Sequence, residues 1–322
     1  MSGEIFAHNP RTLLHIAPYL RSRSVNPVEI FRRAGVSPSA LLDANGWIPR
    51  DLCFSLGNEM YVATGDLFPG ATVGRLFRLA DLGPWGAVVS GAATLRQACA
   101  AAASGVGLVH QGTELRLVES NGHAKLSFAF AGRSSADPRH HIHGALAVLR
   151  SVALLAGVPE AVGVHFSQPY GRSVDRLEEA FGPTLEFGCD SDAIVIDRAI
   201  LDFGIGAARP YAGDDADPVE TATSLGAFLR EQLPYGNMNV QAVAARLRMS
   251  TRTLQRRLRD WGFAFEEIVD DVRRVEAIRR VVTGDGSSME IAFMLGYSDQ
   301  SHFIRAFRRW TGTAPRDYAR RG

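Results

Sequence analysis

Lysine is nearly missing from this sequence: Lys125 is the only one in 322 residues. Cysteine is scarce too. Cys53, Cys99 and Cys189 are odd in number, far apart and without a CxxC pair, which argues against a disulfide framework or a zinc knuckle. Buried, reduced thiols in a cytoplasmic protein are the expectation. No run of ~18 uninterrupted apolar residues occurs, so no membrane span is expected. The start, MSGEIFAHNPRTLLHIAPYL, lacks the basic, apolar, small order of a secretory signal. No P-loop is present and no GxGxxG follows a strand pattern, so nothing supports nucleotide hydrolysis or Rossmann cofactor use. No cofactor is expected.

What is there is ordinary in bulk and uneven in detail. Hydrophobic residues make up 46% and charged residues 21%, as in soluble globular proteins, and the length allows two or more domains. The net charge of +1 hides a split. Residues 217–322 hold 17 arginines against 13 acidic residues, a net of +4, and the remainder carries −3. A basic tail domain that meets a polyanion fits this asymmetry, although an arginine bias by itself can follow genome composition.

The stretch GAARPYAGDDADP, Gly206 to Pro218, has no apolar period and reads as a linker. The expected domains are therefore 1–205, a linker at 206–217, and 218–322. After the linker nearly everything has helical period. Val219, Leu225, Phe228, Leu229 and Leu233 repeat with helical period behind Pro218. In FEEIVDDVRRVEAIRRVV, Ile268, Val269, Val272, Val275, Ile278 and Val281/Val282 form a predicted stripe, with acids leading and arginines following as the helix dipole favours. Before the linker the pattern is mixed. The first ~65 residues read as helical and turn-rich. TLRQACAAAASGVGLV predicts a helix from Thr94, HHIHGALAVLRSVALLAG a second, and SVDRLEEAF a third with Ser173 as N-cap. ELRLVE, AKLSFAF, VGVHFSQ, TLEFGC and AIVID alternate as strands do. The fold class expected is an α+β N-terminal domain with a mixed or antiparallel sheet of unassigned order, followed by an all-α domain.

A pattern near the end occurs twice. Ala244, Leu247, Met249 and Ser250 align with Ala292, Leu295, Tyr297 and Ser298. With one extra residue in the second copy, Leu254, Arg256, Leu258 and Trp261 align with Phe303, Arg305, Phe307 and Trp310. Each copy reads as a short helix, a tight turn and a second helix with an inward face at i, i+4, i+7. Ser250 and Ser298 are the expected N-caps. This is the pattern of a helix-turn-helix, whose second helix lies in the DNA major groove. The outward faces carry Arg252, Gln255, Arg256 and Arg259 in the first copy, and Gln300, Ser301, His302, Arg305 and Arg308 in the second. Arg can bond guanine bidentately and Gln adenine; the other arginines suit phosphates. With Ser250 and Ser298, these residues are the expected DNA-binding set.

GYSDQSHFIRAFRRWTGTAPRDYARR and VAARLRMSTRTLQRRL resemble the two units of the DNA-binding domain of AraC/XylS transcription regulators. Gly296, Tyr297, Ser298, Ser301, Phe303, Arg305, Phe307, Gly312 and Pro315 carry the likeness. Arg248 departs from it, where a glycine is common. The resemblance implies seven helices, two recognition helices in successive major-groove segments of promoter or operator DNA, and RNA polymerase as a partner. LGPWGAVVSGAATLRQACAAAASGVGLVHQGTELRLVE and VDRLEEAFGPTLEFGCDSDAIVIDRAIL resemble the arabinose-binding-type effector domain of one branch of that family. That likeness implies an unidentified small-molecule effector; the N-terminal domain is also expected to dimerise the chain. A transcription regulator, most often an activator in this family, is the leading function.

Other features read more plainly. RHHIH, Arg139 to His143, reads as a helix start with partly exposed histidines, and no metal is expected there. Cys189-Asp190 lacks a nucleophile-elbow setting and reads as a turn. Pro84-Trp85-Gly86 reads as a turn whose aromatic plugs the core in preference to walling a pocket. The alternative function is a DNA-targeted enzyme, such as a repair-type methyl acceptor on the same DNA-binding module. It needs a zinc-bound reactive cysteine, and the three cysteines do not offer that spacing, so no enzyme is expected.

Overall fold

The computed structural model describes residues 6–43, 46–120, 122–169, 174–205, 218–236 and 238–320. The predicted linker and the Ser173 cap lie outside these residues. Two compact units form: residues 1–36 with 45–214, and residues 37–44 with 215–322.

The first unit contains β1 (Ala7–His8), α1 (Ile16–Ser22), α2 (Pro27–Arg33), β2 (Ile48–Pro49), α3 (Arg50–Thr64), α4 (Pro69–Gly74), α5 (Pro84–Ser90), α6 (Leu95–Gly105), β3 (Thr113–Glu119), β4 (His123–Phe130), α7 (Arg139–Ala153), β5 (Val162–Phe166), α8 (Val174–Phe181), β6 (Leu185–Phe187) and β7 (Asp192–Asp197). All five predicted strands form one sheet of order β3-β4-β7-β5-β6. Only β5 and β6 pair in parallel, so the sheet is mixed. Alternation sets the buried face: Ala124, Leu126 and Phe128 of β4 point inward, and Leu126 lies opposite Leu117 and Ile194. Helix α6 starts where Thr94 accepts a hydrogen bond from the Gln97 amide, as its sequence predicts.

Helix α7 packs on β5 and β7 and buries Leu146, Leu149, Val152 and Ala153. On another side it meets α4 backbone to backbone. A Cβ added at Gly70 would stand 1.6 Å from the His140 carbonyl oxygen, and one at Gly74 would stand 2.5 Å from that of Gly144. Glycine is required here by space, since both backbones occupy the volume a side chain would take.

The second unit has seven α-helices among the described residues, the number the resemblance implies. They are α9 (Pro218–Gln232), α10 (Val240–Arg246), α11 (Thr251–Asp260), α12 (Phe265–Thr283), α13 (Ser288–Met294), α14 (Gln300–Thr311) and α15 (Pro315–Ala319). Pro218 opens α9, and Leu225, Leu229 and Leu233 are buried. At 19 residues α12 is about 28 Å long. Its apolar stripe is only partly as predicted: Ile268, Val269, Val272 and Val281 are buried, whereas Val275 and Val282 are exposed. Ala277 and the carboxylate of Asp271 take interior places. The reason lies in a segment the sequence assigns to the first domain. Pro38–Leu42, a 3₁₀ turn, packs on α9 and α12. Asp271 accepts hydrogen bonds from the Ser37 hydroxyl and from the Ser39 amide at 2.8 Å, and pairs with Arg274 at 2.8 Å. Gly226 leaves room for that turn, because a Cβ there would meet the Leu42 Cβ at 2.9 Å.

The α4–α7 contact predicts a steep steric response. Gly70→Ala is expected to cost about 1–3 kcal/mol or more, read as a lowered urea midpoint. Gly107→Ala, where an added Cβ meets nothing within 4 Å, is the matched change expected to leave the midpoint nearly unmoved.

Candidate nucleic-acid interface and effector cavity

Each repeated motif folds as helix, turn, helix. In the first, Ala244 is buried in α10 and the turn closes by two bonds: Met249 N–H to the Ala244 carbonyl at 3.0 Å, and Arg248 N–H to that of Ala245 at 3.1 Å. In the second, Tyr297 N–H reaches Ala292 at 2.9 Å and Gly296 N–H reaches Phe293 at 3.0 Å. Both are Schellman closures, which need a residue with positive φ just past the helix. Gly296 supplies it at +75° and Arg248 at +54°. The departure from glycine at Arg248 is thus met by strain, and not by a negative φ. Space favours glycine more strongly in the second copy. A Cβ at Gly296 would press on the Leu233 carbonyl and Gly236 at 3.0 Å, whereas Arg248 is exposed.

Ser250 caps α11, accepting from the Thr253 amide at 3.0 Å. The cap of α14 is a correction. Asp299, not Ser298, accepts from the His302 amide at 2.9 Å. Ser298 is therefore the extra residue of the second copy, and its hydroxyl lies 3.2 Å from His302 Nδ1. The Asp299 carboxyl is held below its ordinary pKa, chiefly by the His302 amide, and its Oδ2 pairs with His302 Nδ1 at 2.7 Å. Sequence alone cannot separate the two, since serine and aspartate are comparable N-caps.

From those caps onward the two helices correspond residue by residue. Leu254 and Leu258, like Phe303 and Phe307, are shut inside, and Trp310 is buried. Trp261 departs from its expected interior place: it stands one residue past the end of α11, half-buried. The predicted outward residues Arg252, Gln255, Arg256 and Arg259, and Gln300, Ser301, His302, Arg305 and Arg308, are all exposed, as are Ser250 and Ser298. Gln300, Ser301 and His302 occupy the first turn of α14. Arg256 corresponds to Arg305, and Arg259 to Arg308.

Most other arginines of α12 and α14 are committed inside the unit. Arg274 pairs with Asp271, Arg279 and Arg280 with Glu276, and Arg309 with Asp270. Arg273 donates to the Leu295 carbonyl at 3.1 Å and lies over Tyr297. Asp270 also accepts from the Trp310 indole at 2.9 Å.

The first unit holds a mainly apolar cavity of about 80 Å³. Its walls include Leu13, Met60, Phe77, Leu82, Trp85 and Val148, and also His110, His140 and His141. Trp85 is both buried and a wall, on α5 rather than in a turn, and donates to the Ala102 carbonyl at 3.1 Å. His140 and His143 are buried, not partly exposed as the sequence suggested. Burial lowers the pKa of His143 to about 3 and of His141 to about 4, so both rings are neutral at pH 7. The pocket walls come from segments far apart in sequence, and no local spacing marked them. Burial also pushes the Cys53 and Cys99 thiols up to about 12, which leaves them unreactive at neutral pH. Among the described residues, no helix is long and apolar enough to cross a membrane.

A family model described as the arabinose-binding domain of AraC transcription regulator, N-terminal, matches residues 25–204, and one described as a helix-turn-helix domain matches residues 243–321. The chain is 28% identical over 302 residues to the ornithine utilization regulator of Pseudomonas aeruginosa, covering 90% of this chain and 89% of that one. It is 32% identical over 184 residues to the HTH-type transcriptional regulator VirS of Mycobacterium tuberculosis, over 52% of this chain and 53% of that one. Among solved structures it is similar to the transcriptional regulator CdpR from Pseudomonas aeruginosa, at 21% identity, 97% and 96% coverage and a TM-score of 0.41.

Two substitutions test the turn chemistry. A non-glycine residue in the left-handed region costs about 1–2 kcal/mol, and glycine's own entropy returns about 0.5–1 of it. Arg248→Gly is therefore expected to stabilise the protein by up to about 1.5 kcal/mol, seen as a higher denaturant midpoint. For the cap, Asp299→Ala is expected to lower the melting temperature more than Ser298→Ala does; the reverse order would restore Ser298 as the cap.

Proposed function

We propose that this chain, which belongs to the AraC family of transcription regulators, engages one face of promoter DNA with α11 and α14 together and is switched by a small molecule held in its N-terminal unit. Family membership makes it a regulator with an N-terminal ligand-binding domain and a C-terminal helix-turn-helix DNA-binding domain. The finer reading rests on one observation: two correspondingly capped helices present Arg256 with Arg259, and Arg305 with Arg308, at matching exposed positions.

In this reading α11 and α14 enter major-groove segments about one helical turn, ~34 Å, apart. Arg256 and Arg305 read guanine, and Gln255 and Gln300 read adenine. Arg252, Arg259 and Arg308 bind phosphates and set register. Ser250, Ser298, Ser301 and His302, at the helix starts, take the backbone and bases beside them. Residues 206–217 serve as the linker between domains 1–205 and 218–322. The protein acts in the cytoplasm as a homodimer joined through the N-terminal unit, and activates by contact with RNA polymerase. Two linked half-sites raise effective concentration, which favours the dimer. A relative is named for ornithine utilization. The apolar walls around Phe77, Leu82 and Trp85 favour a more apolar effector here, with few polar groups.

Recovery of genomic fragments by the purified protein at physiological salt tests the reading. A shared motif of two blocks about one turn apart is expected, and the Arg256→Ala/Arg305→Ala variant is expected to lose it. Each single change should cost about 1–3 kcal/mol on the recovered site and little on random DNA. Equal losses on both would remove the base-reading role. Arg308→Ala should weaken all DNA alike and reduce the salt slope by about 1.

A further inference from the structure

Three histidines far apart in sequence meet inside the first unit. His8 lies on β1, His110 follows α6, and His141 stands in the first turn of α7. Backbone pairing aligns the first two. His8 and His110 form an antiparallel bridge, flanked by the Asn9 amide on the Val109 carbonyl at 2.8 Å and the Gln111 amide on the Ala7 carbonyl at 2.9 Å. The third is placed by the close approach of Gly70 to His140. One ring nitrogen from each of the three lies within 4.8 Å of the other two.

Two features set this trio apart from a packed aromatic cluster. His8 is fully buried, yet neither of its ring nitrogens has a hydrogen-bond partner. A buried polar group left unpaired costs about 1–3 kcal/mol, and native structures rarely keep one without a use. The second feature is a distance. His110 Nε2 and His141 Nε2 stand 3.3 Å apart, long for a hydrogen bond between them. Two imidazole nitrogens on one tetrahedral zinc, each about 2.0–2.1 Å from it, stand about 3.3–3.4 Å apart.

We propose that His8, His110 and His141 form a site for one divalent transition ion of the zinc class. Three imidazoles without a carboxylate suit zinc, cobalt, nickel or copper and not magnesium or calcium. A three-histidine set leaves a fourth position open, as in catalytic zinc centres. The cavity borders His110 and His141, so the open position would face the cavity. The Arg50 guanidinium opposes the ion. That charge is met by the Ala131 carbonyl at 2.7 Å and by the ring faces of Phe6, Phe54 and Phe130.

The test is a titration of the full-length, tag-free protein with Co²⁺, followed by displacement with Zn²⁺ against a chromophoric chelator. One equivalent of Co²⁺ with the visible bands of a four-coordinate ion, and no thiolate charge-transfer band, is expected. His110→Gln and His141→Gln should each weaken binding by more than about 100-fold, since loss of mere supporting residues already costs 10–100-fold. Cys189→Ala, in the separate His165, Glu186 and Cys189 group near the surface, should leave the titration unchanged. Failure of the wild-type protein to take up one equivalent overturns the site without recourse to any variant. So does binding that survives both histidine changes in folded protein, or binding that is lost with Cys189→Ala.

Discussion

Two adjacent carboxylates on α12 hold the second unit together. Asp270 accepts the Trp310 indole and pairs with Arg309, and so fastens α14 to the long helix. Asp271, ~100° further round, is shut in with Arg274, the Ser39 amide and the Ser37 hydroxyl. Removing a buried carboxylate with such partners strands an arginine and a backbone donor, a loss of order 3–5 kcal/mol. One turn along, Arg273 bonds the Leu295 carbonyl, at the end of α13. A single helix thus fixes both members of the second helix-turn-helix, while the first packs against α9 through α10. These ties also sort the arginines. Those bound to Asp271, Glu276 and Asp270 build the unit, whereas Arg252, Arg256, Arg259, Arg305 and Arg308 stand exposed on α11 and α14.

The paired turns show how one geometry is met by different residues. The same two backbone bonds close each turn, so the angle between the helices is set by the main chain. Side chains decide only what the closure costs. Gly296 adopts the left-handed conformation freely, and a Cβ there would also crowd the Leu233 carbonyl and Gly236 at 3.0 Å. Arg248 reaches the same region at a cost, in open surroundings. Strain is tolerated where the neighbourhood leaves room and forbidden where it does not.

What the sequence made legible was local. The i, i+4, i+7 spacing of Leu254 and Leu258, and of Phe303 and Phe307, depends on one helix and one partner face, and it placed the exposed arginines correctly. All five strands of the sheet were visible from alternation, but their order was not, because pairing is settled over more than eighty residues of chain. The stripe on α12 held only in part, for a definite reason. That helix is covered on several sides by different elements, so a single period cannot describe it, and the 3₁₀ turn that covers Asp271 comes from residues 38–42. The cap of α14 slipped by one residue because serine and aspartate stand side by side and either can do the work. The histidines met through folding alone. RHHIH points nowhere until β1 and the turn after α6 bring His8 and His110 to it.

The glycine contact between α4 and α7 carries a consequence for the cavity. Gly70, Gly74 and Gly144 are among its walls, and they belong to the contact where two backbones already touch. Interiors are too densely packed for such a contact to part without losing its dispersion energy over the whole length of α4. That wall is rigid. A volume of about 80 Å³ is below the range of drug-sized ligand pockets, ~300–1,000 Å³. For the proposed effector, added space comes from the other walls, where Leu82, Trp85 and Val106 sit on short helices and 3₁₀ turns and Phe77 on the irregular segment after α4. Gly86 restrains part of that side, because its backbone lies against the Leu79 carbonyl. Phe77, Leu82 and Val106 lie outside the glycine contact, so their side chains are not held by the backbone approach that fixes Gly70 and Gly74.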